Sequence, residues 1–484
     1  MFVMARHSGY VLAGMTMDGG MLFGMAAIVI GIGVAGYGLL PKSTPLAVGQ
    51  ALEALAPPED ASLTRAHWGM AALLGLALII DIMKPASLGF VTPGMRVEYG
   101  VGRETVAWLP FAALTGTVLG SFLWGLLADI YGRRASILLS SVMFIGTSIC
   151  GAMPDFWWNV GMCFLMGAAA GGMLPVAYAL LAEIMPTRHR GWSLVLVGGI
   201  GAVGGFFAAS MWFLNLPTGL LLVCLSPLLP ESARFLQQMG RGEEARATLA
   251  RFGAVLRTGN EGPKRPRKVH TPLPPVGHGF FGITAALTLT AVAWGLVNFG
   301  LLLWLPGALV AGGRSVATSS ALIAKSTLIA APTIALSAWL FSSWSTKWSL
   351  VLMTGIMVAG LLGLSVQAAG AAALSHPVVP LTLVIVGSCG LISILLPYAA
   401  ENYPLRVRGR ATGWVAGCSK LGGLIAQGLS VAGVVPSFAT AVLVIAVPAG
   451  VALGLICLFG RESRGRDLRE LDAAARASRI GEVA

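Results

Sequence analysis

Residues 182–191 read AEIMPTRHRG, and 218 residues further on, residues 400–409 read AENYPLRVRG. Six of the ten positions coincide in an A-E-x-x-P-x-R-x-R-G pattern, which marks an internal duplication. Six long apolar runs lie between the copies. An even number of crossings leaves both copies on the same side of a membrane, so the halves share one orientation and form a parallel repeat.

The chain around this repeat is poor in polar surface. Of 484 residues, 56% are hydrophobic and 11% charged, with a mean hydropathy of +0.81. Soluble domains are about a quarter charged, so a water-soluble enzyme is excluded and, despite the net charge of +12, so is a nucleic-acid binder. Twelve candidate spanning runs follow residue 67, near 68–93, 105–128, 135–153, 157–184, 192–213, 215–229, 281–311, 318–343, 348–370, 378–399, 411–434 and 437–460. With both ends of the set inside, the Lys/Arg-rich segments at 133–134, 188–190, 234–268, 406–410 and 461–479 are all cytoplasmic, as retained basic loops are. A further run, Met21 to Leu40, reads as a thirteenth helix with its N-terminus outside; a mis-assigned start is the alternative. Its small residues Ala27, Gly31 and Ala35 suit packing on another helix.

The expected organisation is an all-α integral membrane protein: an extra helix and linker (1–67), a six-helix bundle (68–230), a cytoplasmic loop (231–280), a second six-helix bundle (281–460) and a tail (461–484). Within the loop, Ala245, Leu249, Phe252 and Leu256 fall on one face of a short surface helix, followed by a Pro-rich tether. The six cysteines sit in or beside apolar runs without a CxxC pair and read as small hydrophobes.

Residues 125–134, GLLADIYGRR, resemble the loop 2–3 signature of the major facilitator superfamily. The segments GGMLP (171–175) and PESARFL (230–236), with the duplicated loops, narrow the likeness to its sugar-porter and metabolite:proton symporter branches. The resemblance implies two six-helix bundles, alternating access, and a gating role for Gly125, Asp129, Gly132, Arg133 and Arg134. It likewise implies a cytoplasmic charge network pairing Glu183 with Arg190, Glu401 with Arg408 and Glu231 with Arg234. The second-half counterpart of the signature, AWLFSSWSTKW (338–348), lacks the acid and the Gly-Arg-Arg, so inward gating is expected to rest on the first half.

A charge near mid-membrane costs about 2.5–3.5 kcal/mol on insertion scales and marks a functional site by default. Asp81 and Lys84 are three residues apart on one helix face and can pair. Relatives in the sugar-porter branch carry an acid on this helix and an Arg on helix 4; here the corresponding helix-4 position reads Cys163. Lys84 is therefore expected to replace that cation and contact the substrate, with Asp81 as proton carrier; a static pair at the membrane rim is the alternative. Trp294 and Asn298 share a face of helix 7 in place of the branch's double-glutamine sugar site, and Lys325 and Lys420 add cations in helices 8 and 11. Three lysines against one acid favour an anionic substrate, although aromatics at helical spacing also serve as packing.

No GxxxxGK[ST] or HExxH stretch is present, and the six histidines are expected in loops or termini. The expectation is a monomeric, cofactor-free, metal-free, multi-pass membrane protein of a bacterial inner membrane, carrying a small organic anion or aromatic metabolite with protons. Proton-driven export of hydrophobic compounds, and a receptor built on the same fold, stay open.

Overall fold

The computed structural model describes residues 13–15, 18–39, 62–147, 153–201, 204, 220–221, 223–225, 228–253, 279–305, 329, 332–369, 378–403, 405–434 and 436–464. Among these no strand occurs. The helices are α1 (Gly19–Leu39), α2 (Arg65–Glu98), α3 (Arg103–Val106), α4 (Trp108–Tyr131), α5 (Arg133–Gly146), α6 (Phe156–Ala170), α7 (Met173–Ile184) and α8 (Thr187–Ile200). Two short helices follow, α9 (Ala233–Gln238) and α10 (Gly242–Arg251). The second half contains α11 (Gly279–Gly295), which runs into a π-helical segment Leu296–Leu301, and a second π segment, Leu340–Trp344. It ends with α12 (Thr346–Ala369), α13 (Val378–Asn402), α14 (Leu405–Val431) and α15 (Phe438–Phe459).

Eight helical stretches among the described residues are long and apolar enough to cross a membrane. The expected runs at 192–213, 215–229 and 318–343 fall partly outside the described residues. The run expected at 157–184 is interrupted at Gly171–Gly172, where Ser121 donates to Gly171 O and the Trp124 indole donates to Ala168 O. There α4 and α6 pack backbone to backbone: a Cβ on Gly116 would overlap Phe164 O, and one on Gly167 would overlap Ala113 O.

The duplication is visible in the packing. A Cβ on Gly204 would overlap the carbonyl of Ile79 in α2, and one on Gly422 in α14 would overlap the carbonyl of Val292 in α11. The same helix-on-helix contact thus recurs in each half, and its register equates Asp81, two residues beyond Ile79, with Trp294, two beyond Val292. The halves meet where Phe122 of α4 stacks near Trp414 of α14, with ring centroids 6.2 Å apart, and where α8 abuts α13 at Gly199 and Ser393.

Helix α1 lies against α5 and runs antiparallel to it. Ile28 and Ile32 reach Gly146, Gly36 reaches Leu139, and Gly14 N–H donates to Pro154 O in the loop before α6. Its N-terminus is therefore on the outer side and Leu39 on the cytoplasmic side. Helix α10 buries Ala245 and Leu249, with Phe252 just beyond its end, the face anticipated for the surface helix; Leu256 lies outside the described residues.

Two expectations are corrected. Cys163 is disulfide-bonded, not merely a small hydrophobe; helical periodicity carries no information about which cysteines the fold brings together. His67 and His189 are not in loops: His67 sits in the first turn of α2, fully buried with its edge toward Phe252, and His189 lies in α8.

Candidate functional site

The mid-membrane charges converge from opposite halves. Asp81 of α2 is 7% exposed, and its Oδ1 has no hydrogen-bond partner. Among the described residues, the charge that acts on it is Lys420 of α14. Lys84, the partner expected from spacing, has a side chain outside the described residues, and Lys325 lies outside them entirely. A long-range pairing between α2 and α14 leaves no trace in local spacing, which is why Lys420 could not be matched to Asp81 beforehand.

Lys420 has aromatic company. Its Nζ lies 5.8 Å from the Trp294 ring centroid and 5.0 Å from that of Phe299, and the two rings meet edge to face at 5.7 Å. Cation–π attraction holds an ammonium over such faces without a counter-anion. The rings are themselves fixed: Trp294 Nε1 donates to Ser388 O at 3.0 Å, and Asn298 Nδ2 donates to Trp294 O at 3.1 Å and to Ser388 Oγ at 2.5 Å. Gln427 Nε2 donates to Phe299 O at 2.5 Å. Phe299 lies where α11 has widened into a π segment, a departure from regular helix often found at functional sites. Phe299, Ser388 and Gln427 thus join Trp294, Asn298 and Lys420 in one cluster. Of these, Phe299 and Ser388 were missed, because apolar and hydroxyl residues inside apolar helices look like packing.

A second set of polar groups lies at the cytoplasmic corners. Gly132, with φ of 102°, ends α4 and starts α5. Glu231 accepts hydrogen bonds from the first N–H groups of α5, Arg133 N at 2.8 Å and Arg134 N at 3.2 Å, and from Ser232 N at 2.9 Å. Arg133 Nη2 pairs with Glu183 Oε1 at 3.1 Å, and Ser232 Oγ also donates to Glu183. The expected partners differ: Glu183 meets Arg133, and Arg190 donates to Met185 O at 3.4 Å. The side chains of Asp129, Arg234 and Arg408 lie outside the described residues. Gly125 has open space at its Cα, where a Cβ would meet nothing within 4 Å.

The second half carries an equivalent corner that was not anticipated. Glu462 accepts from Thr346 N at 2.9 Å, Thr346 Oγ1 at 2.6 Å, Arg464 N at 3.1 Å and Ser345 Oγ. Ser463 Oγ donates to Glu401 Oε2 at 2.7 Å, as Ser232 does to Glu183. The signal was present in the sequence as an Glu-Ser pair after each bundle, 231–232 and 462–463.

Two halves with matching corners and a charge pair between them describe a transporter fold, and the comparisons agree. The model of the Major Facilitator Superfamily matches residues 68–427. The chain belongs to the major facilitator superfamily. The niacin transporter NiaP of Acinetobacter baylyi is 24% identical over 393 residues, covering 76% of this chain and 87% of that one. The 4-hydroxybenzoate transporter PcaK of Pseudomonas putida is 28% identical over 444 residues, covering 84% and 95%. The gallate transporter of Pseudomonas putida is 26% identical over 385 residues, covering 74% and 83%. Among solved structures, the proton:xylose symporter XylE bound to 6-bromo-6-deoxy-D-glucose aligns with a TM-score of 0.65 at 16% identity, covering 84% of this chain and 98% of that one.

The superfamily resemblance carried by residues 125–134 therefore holds, and the protein is a multi-pass membrane transporter. Helix α1 precedes the matched region and is an addition to it.

Proposed function

We propose that this superfamily member moves an aromatic carboxylate together with a proton by alternating access, in a bacterial inner membrane and as a monomer without enzymatic activity. The observation that carries this reading is the Lys420 ammonium, held over Trp294 and Phe299 and coupled electrostatically to Asp81 of the opposite half. A cation beside two aromatic rings suits a ligand with one carboxylate and one ring. Asn298 and Gln427 brace the two rings through their NH2 groups. The niacin, 4-hydroxybenzoate and gallate transporters among the relatives support the same class.

The coupling follows from charge balance. With the site empty, Asp81 and Lys420 neutralise each other across the halves. A proton bound to Asp81 frees Lys420 for the substrate carboxylate, so the loaded site is again neutral and the charge burden of crossing is small. Lys84 and Lys325 are further candidate substrate contacts. Bundles 68–230 and 281–460 are the moving bodies in this reading, and Gly125, Asp129, Gly132, Arg133, Arg134, Glu183, Arg190, Glu231, Arg234, Glu401 and Arg408 are gating residues.

Lumenal pH in proteoliposomes tests the proposal. Addition of nicotinate, 4-hydroxybenzoate or gallate outside is expected to acidify the lumen, and xylose is not. Asp81→Asn is expected to abolish substrate-driven acidification while retaining substrate exchange, and Lys420→Ala to raise KM by about tenfold or more, the loss of one charge-assisted contact. Accumulation at wild-type levels in Asp81→Asn would overturn the carrier assignment. Alkalinisation of a proton-loaded lumen would mean exchange, hence export.

A further inference from the structure

A cavity of about 520 Å³ opens at the cytoplasmic end of α1, between that helix, the start of α5 and the surface helix α10. It is distinct from the Asp81–Lys420 site, and α1, which precedes the superfamily region, contributes Gly38 and Leu39 to its wall. Three arginines line it: Arg134 of α5, Arg241 at the start of α10, and Arg251 at its end. Two carboxylates line it as well, and both have other work. Glu244 is bound bidentately by Arg241, at 2.8 and 2.7 Å, and Glu231 is turned to the backbone N–H groups of α5 and Ser232.

Arg134 is the informative member. Its backbone N–H donates to Glu231, yet its guanidinium Nε is buried without a hydrogen-bond partner. No carboxylate pairs with the Arg134 guanidinium among the described residues, so its charge is left for an anion that enters the cavity it lines. Arg251 is exposed beside it. Gly38, Leu39 and Leu138 contribute an apolar part of the lining.

We propose that this cavity binds the phosphate headgroup of an anionic phospholipid from the cytoplasmic leaflet. Arg134 and Arg251 contact the phosphate, and the first acyl carbons lie along Leu39 and Leu138. A soluble phosphomonoester shares the phosphate chemistry but has nothing for the apolar wall. The lipid would bridge the added helix α1 to the core bundle and to the central loop.

Native mass spectrometry of the full chain, delipidated and titrated with phosphatidylglycerol, phosphatidylcholine or glycerol 3-phosphate, decides it. The wild type is expected to retain one phosphatidylglycerol in preference to phosphatidylcholine. Arg134→Ala and Arg251→Ala are each expected to weaken that adduct about fivefold, the contribution of one cation near an anionic surface. Arg251→Glu, an exposed change, keeps the test available if Arg134→Ala does not fold. Lys347→Ala, at the equivalent place of the second half, is expected to leave the adduct unchanged. Equal retention by Arg251→Glu and the wild type would overturn the proposal, as would displacement of the lipid by glycerol 3-phosphate at similar concentration, which would assign the site to a soluble phosphoanion.

Discussion

The cytoplasmic starts of α5 and α12 occupy equivalent places in the two halves, 213 residues apart, and each is capped by a glutamate arriving from the end of its own bundle. The means differ. In the first half the chain turns at Gly132 with φ of 102°, and a Cβ there would overlap the Glu231 carboxylate. In the second half the turn residue is Ser345 in extended backbone, φ of −162°, and its hydroxyl donates to Glu462 and accepts from Trp348 N at 3.0 Å. Arg133 and its pair with Glu183 on one side correspond to the uncharged Thr346 on the other. Lys347, in the place of Arg134, turns away to Cys457 O at 2.8 Å. One corner is thus built on a glycine turn and an ion pair, the other on hydroxyl hydrogen bonds. A corner tied by a removable pair suits a gate, and a corner tied by several neutral donors suits a hinge base.

The protonation behaviour of the two glutamates differs in the same sense. Burial pushes the Glu231 carboxyl above its usual value, and the N–H groups of Ser232, Arg133 and Arg134, with the Arg133 charge, recover only part of this. Burial also acts on Glu462, but the donors from Ser345, Thr346 and Arg464 outweigh it and hold the carboxyl below the usual range.

The sharpest way to break the comparison is Gly132→Ala. A side chain at positive φ strains the backbone by about 1–3 kcal/mol, and here it also displaces Glu231, so folded yield and transport are both expected to collapse. Glu231→Ala should be next, leaving the α5 N–H groups uncapped at about 1–3 kcal/mol, read as a lower midpoint of thermal unfolding in detergent. Arg133→Ala is expected to reduce uptake in proteoliposomes far more than Thr346→Ala, because only the first removes an ion pair whose side chains are 15% and 16% exposed. Equal losses would remove the distinction between gate and hinge base. Ser345→Ala, which deletes a helix-capping hydroxyl in unstrained backbone, should cost about 1 kcal/mol.

The smallest effect is in pH. Glu462, depressed in the folded state, contributes stability that is present above its unfolded value of about 4.3 and lost as pH falls through the lower folded value. Glu231, raised, contributes stability that is present below about 4.3 and lost as pH rises through its higher folded value. Thermal unfolding of Glu462→Gln should therefore lose its acid-side decline, and that of Glu231→Gln its decline toward neutral pH. Superimposable profiles for both variants and the wild type would contradict the opposed shifts.

Much of the architecture was legible before any coordinates. The 182–191 and 400–409 copies required a parallel repeat, the GLLADIYGRR stretch pointed to the superfamily, and the first apolar run did form a helix, Gly19–Leu39, whose N-terminal end lies by the loop before α6. The site was legible only as a list of residue types. Asp81 and Lys420 stood out because charge in an apolar run is costly, but their juxtaposition did not, since local spacing relates Asp81 only to its neighbour Lys84. The second-half stretch has lost the signature's own acid, with Ser342 in the place of Asp129, and the capping Glu462 escaped notice because, like Glu231, it lies outside the stretch that aligns with the signature.

The division has a physical reason. Hydropathy, charge asymmetry and repeats act along the chain, where the bilayer requires each crossing to be apolar and each backbone group to be satisfied within its own helix. They fix how many helices form and which way they run. Which side chains meet is set by backbone contacts at Gly204 and Gly422, the widening of α11 at Phe299, and a glutamate returning from a bundle's end. Those are distances between residues 100 or more positions apart in sequence, such as Thr346 and Glu462 at 116, and only the folded molecule decided them.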